Sequence, residues 1–336
     1  MTQTEQIFLA RRPDGFPRPD DFGWRRATLP EPEAGEVLVR NAFLSVDPYM
    51  RGLIDGVYHY VRRIDPGDTM FGGCVGTVEA SRDPALPPGS LVEGYLGWQT
   101  VSIARGADLR RVDPAHGPIS TALGLLGMPG MTAWFGMTDI GRPASGETVV
   151  VSAAAGAVGS AAGQIAKQAG ARVVGIAGGP AKCRHLLDDL GFDATIDYKA
   201  VDDVAAALRA ACPDRIDVYF DNVGGAIHDA VTTWMADGCR IVICGQIATY
   251  NGEADIGPRN LKQFEMRRAR MEGLRVLDHR PRFPEAIRTL AGWLAEGGIT
   301  YRETVADGLR AAPEAFVGML RGRNLGKQLV RLDGTA

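Results

Sequence analysis

The sequence has few cysteines and no segment long and apolar enough to span a membrane. Its five cysteines, an odd number among 336 residues, include no CxxC pair. This usage argues against a disulfide framework and favours reduced thiols, so we expect a cytoplasmic protein. Even the run VVVSAAAGAVGSAAG at 149–163 is shorter than the roughly 20 apolar residues of a transmembrane helix. The opening stretch MTQTEQIFLARRPDG lacks the apolar core of a signal peptide.

An excess of charge of one sign is also missing. The chain has 37 Lys and Arg against 40 Asp and Glu, a formal net charge of −3. This balance gives no electrostatic basis for binding nucleic acid or an anionic membrane, and we expect neither as a partner. Apolar residues make up 45% and charged residues 23%, values typical of a globular protein. The length fits two hydrophobic cores better than one.

The pattern of predicted elements changes near residue 120. Before it, short apolar runs such as Glu36–Ala42, Cys74–Val78 and Leu91–Tyr95 are separated by Pro/Gly turns, which predicts an irregular β-rich domain. After it, strands alternate with helices, which predicts an α/β domain with crossover connections and a parallel, doubly wound sheet. We expect a first domain at 1–120, a second at 121–299, and a segment at 300–336 that returns to the first.

Within the second domain the apolar runs predict six strands and four helices. The strands are expected at Thr148–Ser152, Arg172–Ala177, Ala194–Ile196, Ile216–Phe220, Arg240–Cys244 and near Leu274–Leu277. The helices between them are expected at Ala157–Ala169, Ala181–Leu190, Val201–Ala211 and Ile227–Met235.

A glycine loop joins the first of these strands to its helix. Gly156 and Gly159 follow the apolar strand at a three-residue spacing, and the helix begins at once. Glycines at such a turn let the backbone approach a pyrophosphate, whose charge is met by free N–H groups at the helix start. Gly163 would let the helix pack closely. The alternative is a helix start whose small residues serve packing alone, but the strand–turn–helix context favours a dinucleotide.

The end of the second strand distinguishes the two nicotinamide cofactors. An NAD site places an acid there, whereas this chain has Gly178 and Gly179, followed by Lys182 and Arg184. Without the acid a ribose phosphate is not repelled, and Lys182 supplies a charge partner. Lys182 as a solvated helix residue is the alternative. We expect NADPH as the cofactor.

Eight motifs along nearly the whole chain resemble the leukotriene hydroxydehydrogenase and prostaglandin reductase group, which includes curcumin reductases and alkenal double-bond reductases. They are VDPYMRG, GMPGMTAWFGM, GETVVVSAAAGAVGS, LGFDATIDYK, FDNVGG, ICGQIATYN, RMEGLRV and RGRNLGKQLVR. The resemblance implies a medium-chain dehydrogenase/reductase: a Rossmann-type sheet, a β-rich GroES-like catalytic domain, a cleft between them for nicotinamide and substrate, and often a homodimer.

The same resemblance implies the site residues. For the pyrophosphate these are Gly156, Ala157, Val158 and Gly159, and for the ribose phosphate Lys182 and Tyr198. The rest of the cofactor would be lined by Asn222, Cys244, Gly245, Gln246, Ile247, Ala248, Thr249, Tyr250, Leu274, Arg275, Val276 and Asn324. Substrate contacts would come from Tyr49, Arg51, Met128 and Thr132.

The residues alone leave alternatives for several of these positions. Asn222 follows a predicted strand at the edge where ligands bind, but it is also a residue that turns favour. Tyr198 has the alternative of a packed surface aromatic. Tyr49 and Arg51 have the alternative of a clamp between loop and core. Asn324 reads as an ordinary loop residue without the family.

A zinc site is not expected. The positions of the zinc ligands in larger relatives fall on Ser45–Asp47 and on Gly72–Cys74, and the four-cysteine lobe is absent. The five histidines show no HxH or HxxxH spacing, and zinc needs three or four placed ligands.

Chemistry without a Lewis acid favours a conjugated substrate. Hydride arriving at the β-carbon of an enone or enal places charge on the carbonyl oxygen, which a hydrogen-bond donor stabilises. We expect NADPH-dependent reduction of that double bond, with Tyr250 as the residue closest to the chemistry, acting as enolate donor, ribose contact or pocket wall. The alternatives are a quinone reductase of the same fold and a noncatalytic NADPH-binding protein.

Overall fold

The computed structural model describes residues 1–56, 62–251, 257 and 259–332. The chain divides into two compact units. The first unit comprises Met1–Leu123 and Glu303–Ala336, and the second comprises Gly124–Arg302. Within the described residues, no helix has both the length and the apolar character needed to cross a bilayer.

The elements are numbered in chain order. The strands are β1 Thr2–Leu9, β2 Phe22–Leu29, β3 Glu36–Ser45, β4 Cys74–Ser81, β5 Leu91–Gly94, β6 Val101–Arg105, β7 Arg110–Arg111, β8 Thr148–Ser152, β9 Arg172–Ala177, β10 Ala194–Asp197, β11 Ile216–Asp221, β12 Met235–Ile243, β13 Arg270–Gly273, β14 Glu303–Asp307 and β15 Lys327–Arg331. The helices are α1 Met50–Leu53, α2 Met128–Phe135, α3 Ala157–Gln168, α4 Pro180–Arg184, α5 Val204–Ala211, α6 Gly225–Thr232, α7 Leu261–Arg267, α8 Phe283–Ala295 and α9 Ala312–Leu320.

The first unit is built around a seven-stranded sheet. Its strand order is β14-β15-β3-β4-β5-β7, with β6 also paired to β3, and β1 and β2 form a separate hairpin. Strand β3 pairs antiparallel with β4, β6 and β15, so the C-terminal segment completes the sheet. Its core includes Trp98 and Phe316, whose rings pack edge to face with their centres 5.9 Å apart. The β-rich domain expected from the sequence is therefore present.

The second unit contains six parallel strands in the order β10-β9-β8-β11-β12-β13. Counted from β8, this is the 3-2-1-4-5-6 order of the doubly wound dinucleotide-binding fold, as the alternation of strands and helices predicted. Strands β8 and β11 are neighbours in parallel register, with Val151 beside Phe220. From β8 the chain adds strands on one side up to β10 and then on the other side from β11, so the strand order reverses between β8 and β11. Ligands are expected beyond the carboxyl ends of these two strands.

Two of the predicted strands had wrong bounds. The fifth begins at Met235 rather than Arg240, because Asp237 and Gly238 resemble a turn in sequence, while in the structure Gly238 lies inside the strand at a φ of +76°. The sixth is Arg270–Gly273 rather than Leu274–Leu277. Its side chains are exposed and show no apolar pattern, and it is defined by backbone pairing to β12 alone.

Candidate functional site

The loop between β8 and α3 leads directly into the start of a helix. Ala153 turns the chain at a φ of +47°, and Gly156 precedes α3 without a side-chain cap. The first turn of the helix, which includes Ala157 and Val158, carries no acidic residue. The first N–H groups of a helix have no partner within it and, with the helix dipole, attract an anion. This end of α3 is therefore chemically suited to a pyrophosphate.

Close contacts explain the glycines of this loop. A Cβ on Gly159 would lie 2.5 Å from the carbonyl oxygen of Ala153, and one on Gly156 would lie 3.2 Å from the same oxygen. At Gly163 a Cβ would lie 2.0 Å from the ring of Phe192, so this glycine admits that ring rather than the sheet itself. Any larger residue at Gly159 would push the helix start away from the loop.

Asn222 lies directly beyond β11, at the carboxyl edge shared with β8. Its backbone N–H donates to Ser152 Oγ at 2.9 Å, and its Nδ2 donates to the carbonyl oxygen of Ser152 at 2.7 Å. One further amide hydrogen and the amide oxygen of Asn222 are available to a ligand by the inventory of this side chain. The structure thus fixes Asn222 where the sequence placed it, at the point where the sheet order reverses.

The segment 244–250 folds over the turn that follows β11. The N–H groups of Cys244 and Ala248 donate to the carbonyl oxygens of Asp221 and Val223, at 2.9 and 3.1 Å. A Cβ on Gly224 would lie 2.5 Å from Gln246 Oε1. The segment includes a 3₁₀ turn at Ile247–Thr249, in which Thr249 Oγ1 donates to the carbonyl oxygen of Gln246.

Tyr250 follows this 3₁₀ turn and folds back over the segment. A Cβ on Gly245 would lie 3.4 Å from the Tyr250 hydroxyl oxygen and 3.4 Å from the carbonyl oxygen of Asn222. Tyr250 is half-buried. The structure therefore brings Asn222, Gly245 and Tyr250 into one cluster at the edge of the sheet.

A positively charged cluster lies beyond the end of β9. A Cβ on Gly178 would lie 2.9 Å from Lys199 Cε and 2.9 Å from Tyr198 Cε1, so these two side chains cover the glycine. Lys199 Nζ lies 5.9 Å from the centre of the Tyr198 ring. Burial, followed by repulsion from Lys199, lowers the pKa of Lys182. Two ammonium groups close enough to repel each other favour an anion between them.

Lys199 is the residue that sequence reasoning missed in this cluster. It ends the LGFDATIDYK motif and follows Tyr198, but a lone lysine after a strand carries no signal of its own. Arg184, by contrast, is exposed on α4. The carboxylate of Asp197 accepts the backbone N–H groups of Gly179 and Lys199, at 2.8 and 3.1 Å, and holds the two loops together.

The remaining predicted cofactor residues are divided between the units. Leu274, Arg275 and Val276 follow β13, and the N–H of Leu274 donates to the carbonyl oxygen of Ile243 at 2.9 Å, at the same sheet edge as Cys244. Asn324 belongs to the first unit, where its Nδ2 donates to the carbonyl oxygen of Gly326 at 2.8 Å. Its assignment to the cofactor stays a prediction.

The predicted substrate residues are also divided. Met128 and Thr132 lie on α2 of the second unit, with Thr132 Oγ1 donating to the carbonyl oxygen of Met128 at 2.8 Å. Tyr49 and Arg51 lie at the start of α1 in the first unit. Arg51 is only 4% exposed and donates to the carbonyl oxygen of Gly15 at 2.9 Å. This contact favours the clamp alternative for Arg51 over a direct contact with substrate.

The residues at the zinc positions of larger relatives do not fit a metal. Lys327 Nζ donates to Asp47 Oδ1 at 2.8 Å and to the carbonyl oxygen of Val46 at 2.9 Å, and Ser45 Oγ donates to the other oxygen of Asp47. Cys74 donates to the carbonyl oxygen of Gly97, and burial raises the pKa of its thiol far above the usual range. Among the residues that the structure describes, no three His, Cys, Asp or Glu side chains are grouped to hold a metal ion.

Comparison with known proteins agrees with this geometry. Residues 5–112 match the family described as the N-terminal domain of oxidoreductase, and residues 157–292 match the family described as zinc-binding dehydrogenase. The NADPH-dependent curcumin reductase of Escherichia coli is 43% identical, with 97% of this chain and 96% of that protein aligned. The NADP(+)-dependent 2-alkenal reductase of Nicotiana tabacum is 41% identical, with 98% and 97% aligned.

Solved structures give the same result. CurA from Vibrio vulnificus in complex with NADPH has a TM-score of 0.93 and 42% identity, with 98% of this chain and 100% of that chain covered. Quinone oxidoreductase from Escherichia coli in complex with NADPH has a TM-score of 0.80 at 19% identity, which shows a common fold alone. Identity above 40% over nearly the full length of two curated reductases therefore decides the relationship. The chain belongs to the medium-chain dehydrogenase/reductase family, in its zinc-free branch of NADP-dependent double-bond reductases.

Proposed function

We propose that this protein uses NADPH to reduce the carbon–carbon double bond of α,β-unsaturated ketones or aldehydes. The observation that carries the proposal is full-length identity to reductases named for curcumin and 2-alkenals. The second unit supports it, since it combines an uncapped α3 start, Asn222 at the sheet reversal and a two-lysine cluster beyond β9. A quinone reductase stays the alternative to be tested.

For the parts of the cofactor we propose the following residues of the second unit. The N–H groups at the start of α3 would hold the pyrophosphate beside Gly156 and Gly159. Lys182 and Lys199, with the exposed Tyr198 ring beside Lys199, would hold the ribose phosphate. Asn222 and the segment 244–250 would contact the nicotinamide half of the cofactor. When bound, NADPH supplies the hydride that is added to the β-carbon of the substrate.

Tyr250 is the residue proposed to stabilise the developing charge. As hydride reaches the β-carbon, the electron pair of the double bond moves toward the carbonyl and gives an enolate oxygen. The Tyr250 hydroxyl, which lies beside Gly245, would donate a hydrogen bond to that oxygen. A water molecule would deliver the proton to the α-carbon, which completes addition of one hydride and one proton.

A substrate panel tests the proposed function. The protein is mixed with NADPH and an enal, an enone or a quinone, and the absorbance of the reduced cofactor is followed. We expect oxidation of NADPH with the enal and enone, and a saturated product with the carbonyl intact. Turnover of the quinone alone would favour the quinone reductase. NADPH binding without turnover of any substrate would favour a noncatalytic binding protein.

We also propose a homodimer, formed at the free edge of the second unit's sheet. Among the described residues β13 pairs with β12 only, and its four side chains are exposed. The large apolar side chains Leu261, Met266 and Met271 are exposed in the same part of the chain, at 65%, 55% and 38%. Strand pairing between two copies would satisfy this edge. Light scattering of the purified protein should give twice the mass of one chain. The Met271→Lys variant should instead give the mass of a single chain.

A cytoplasmic location is proposed from the thiols. All five cysteines are free, and Cys74, Cys212 and Cys239 are buried. In an oxidising compartment cysteines commonly form disulfides, and free thiols that are only partly buried are open to oxidation. Cell fractionation with an antibody against the protein checks this location.

A further inference from the structure

A buried carboxylate lies behind the proposed cofactor residue Asn222. Asp221 is the last residue of β11 and has no exposed surface. Its Oδ1 accepts the hydroxyl of Tyr219 at 2.8 Å and the N–H groups of Val223 and Gly224 at 3.0 and 2.9 Å. Its Oδ2 accepts Nδ1 of His228 at 2.8 Å. A buried charge with this many donors is held firmly in one orientation.

The ionised state of Asp221 is consistent with these contacts. Burial alone raises the pKa of a carboxyl group, but the hydrogen bonds from His228, from the two backbone N–H groups and from Tyr219 lower the pKa of Asp221 overall. The carboxylate therefore accepts, and His228 donates through Nδ1. His228 itself lies on α6 and is only 8% exposed.

Ser152 connects this carboxylate to Asn222. The hydroxyl of Ser152, at the end of β8, lies 3.3 Å from Asp221 Oδ1 and accepts the backbone N–H of Asn222 at 2.9 Å. Ser152 is fully buried, and its carbonyl oxygen holds the amide of Asn222. Asn222 is thus held by Ser152, whose hydroxyl lies within hydrogen-bond distance of the Asp221 carboxylate and, at 3.4 Å, of the carbonyl oxygen of Phe220.

Asp221 also fixes the turn on the other side of Asn222. Gly224 and Gly225 adopt left-handed φ values of +71° and +54°. The carboxylate accepts the N–H of Gly224, so it stabilises the turn at the point where its conformation is restricted. Asn222 lies between two segments that the same carboxyl group orders. A ligand group at Asn222 would meet a preorganised partner.

We propose that Asp221 is a positioning residue for NADPH, which acts through Ser152 and the turn 222–225 to hold the Asn222 amide in its binding orientation. The proposal rests on the proposed function and adds a cause for the cofactor affinity. It requires that the effect of disturbing Ser152 or Asp221 be transmitted through Asn222. A purely structural role would lower stability without this dependence.

A double-mutant cycle on cofactor binding tests the proposal. The dissociation constant of NADPH is measured by fluorescence, without substrate, for wild type, Ser152→Ala, Asn222→Ala and the double variant. Ser152→Ala removes only the hydroxyl, and we expect it to raise the constant roughly five- to tenfold, the effect of one hydrogen bond. In the Asn222→Ala background the same change should have almost no effect, because residues that act as one unit are not additive.

Asp221→Asn is the second variant, and Asp217→Asn is its matched control. Asp217 lies on the same strand and accepts the N–H of Thr148 at 2.8 Å, at the opposite end of β8 from Ser152. Asp221→Asn should weaken NADPH binding, whereas Asp217→Asn should leave it within twofold of wild type, with both melting temperatures recorded.

Three results separate the possible failures. Wild type that does not bind NADPH would overturn the proposed function itself. If wild type binds NADPH but Ser152→Ala raises the dissociation constant by the same factor with and without Asn222→Ala, the positioning role is overturned and the proposed function stays intact. A melting temperature lowered by Ser152→Ala or Asp221→Asn, with the dissociation constant unchanged, would also overturn it, because the network would then serve stability alone.

Discussion

At the scale of single residues, Lys182 and Lys199 are expected to set the preference between the two nicotinamide cofactors. Burial and mutual repulsion lower the pKa of Lys182, and an anion between the two ammonium groups relieves that repulsion. Lys182→Ala should raise the Michaelis constant for NADPH roughly 10-fold or more and leave that for NADH nearly unchanged. Lys199→Ala should act in the same direction.

Arg184→Ala is the control for these two variants, since Arg184 lies on the same helix as Lys182 but is exposed. It should change neither constant appreciably. Equal losses with NADPH and NADH in Lys182→Ala would contradict the assignment, because a contact with the phosphate acts on one cofactor only. Initial rates at saturating enone, with each cofactor varied in turn, give the comparison.

Tyr250 tests the proposed chemistry at the same scale. Tyr250→Phe removes the hydroxyl beside Gly245 and keeps the ring, so we expect an unchanged melting temperature. Loss of one preorganised donor to an oxyanion lowers turnover roughly 100- to 1000-fold. If the hydroxyl orders the cofactor ribose instead, the Michaelis constant for NADPH rises and turnover falls less. Full activity with unchanged cofactor affinity would leave Tyr250 as a pocket wall.

At the scale of elements, the packing of α3 depends on a glycine. The ring of Phe192 occupies the space that a Cβ on Gly163 would need, at 2.0 Å, and the ring is only 4% exposed. Gly163→Ala should therefore destabilise the fold by about 1–3 kcal/mol despite the better helix propensity of alanine. Gly292→Ala on α8 is the matched control, because nothing lies within 4 Å of its Cβ position.

Gly292→Ala should stabilise the protein by about 0.5–1 kcal/mol, since alanine loses less conformational entropy in a helix. Urea unfolding of both variants measures the two changes. A Gly163→Ala variant as stable as Gly292→Ala would mean that Phe192 moves aside without cost.

A second element-level prediction concerns the buried ion pair of the first unit. Lys327 at the start of β15 and Asp47 after β3 are 4% and 6% exposed and lie 2.8 Å apart. Lys327→Met leaves Asp47 as an uncompensated buried charge, which typically costs about 3–5 kcal/mol. The exposed pair Arg323–Glu314 is the control, and Arg323→Ala should cost at most about 1 kcal/mol. Similar unfolding free energies for the two variants would contradict this reading.

The elements also show which features could be predicted from the sequence. Strands β8 and β9 were predicted to the residue, because their apolar runs are continuous and bounded by turns. The fold class and the position of Asn222 beyond β11 followed from the same alternation. Strand β13 was misplaced because an exposed edge strand has no apolar pattern. Lys199 and the contacts of Asp221 could not be predicted, since they depend on segments distant in sequence meeting in space.

At the scale of the whole molecule, most of the residues proposed for the cofactor belong to the second unit. The second unit contains the glycine loop, Asn222 and the lysine cluster, which are all proposed for the cofactor. The first unit contains Asp47 and Cys74, at the positions where larger relatives have zinc ligands, and Lys327 enters it from the C-terminal segment. The ammonium group of Lys327 thus balances the charge of the Asp47 carboxylate, which leaves that carboxylate without the role of a metal ligand.

Metal independence of turnover is the prediction that involves the whole molecule. Zinc needs three or four placed ligands, and it needs a cysteine as the thiolate. Here Asp47 is bound by Lys327, and burial raises the pKa of Cys74, so binding would require breaking an ion pair and ionising a buried thiol. Dialysis against a strong chelator should leave NADPH oxidation with an enone unchanged, while a zinc alcohol dehydrogenase treated in parallel loses its activity. Elemental analysis should find far less than one zinc per chain. Stoichiometric zinc whose removal abolishes turnover would contradict the prediction and would require another set of ligands.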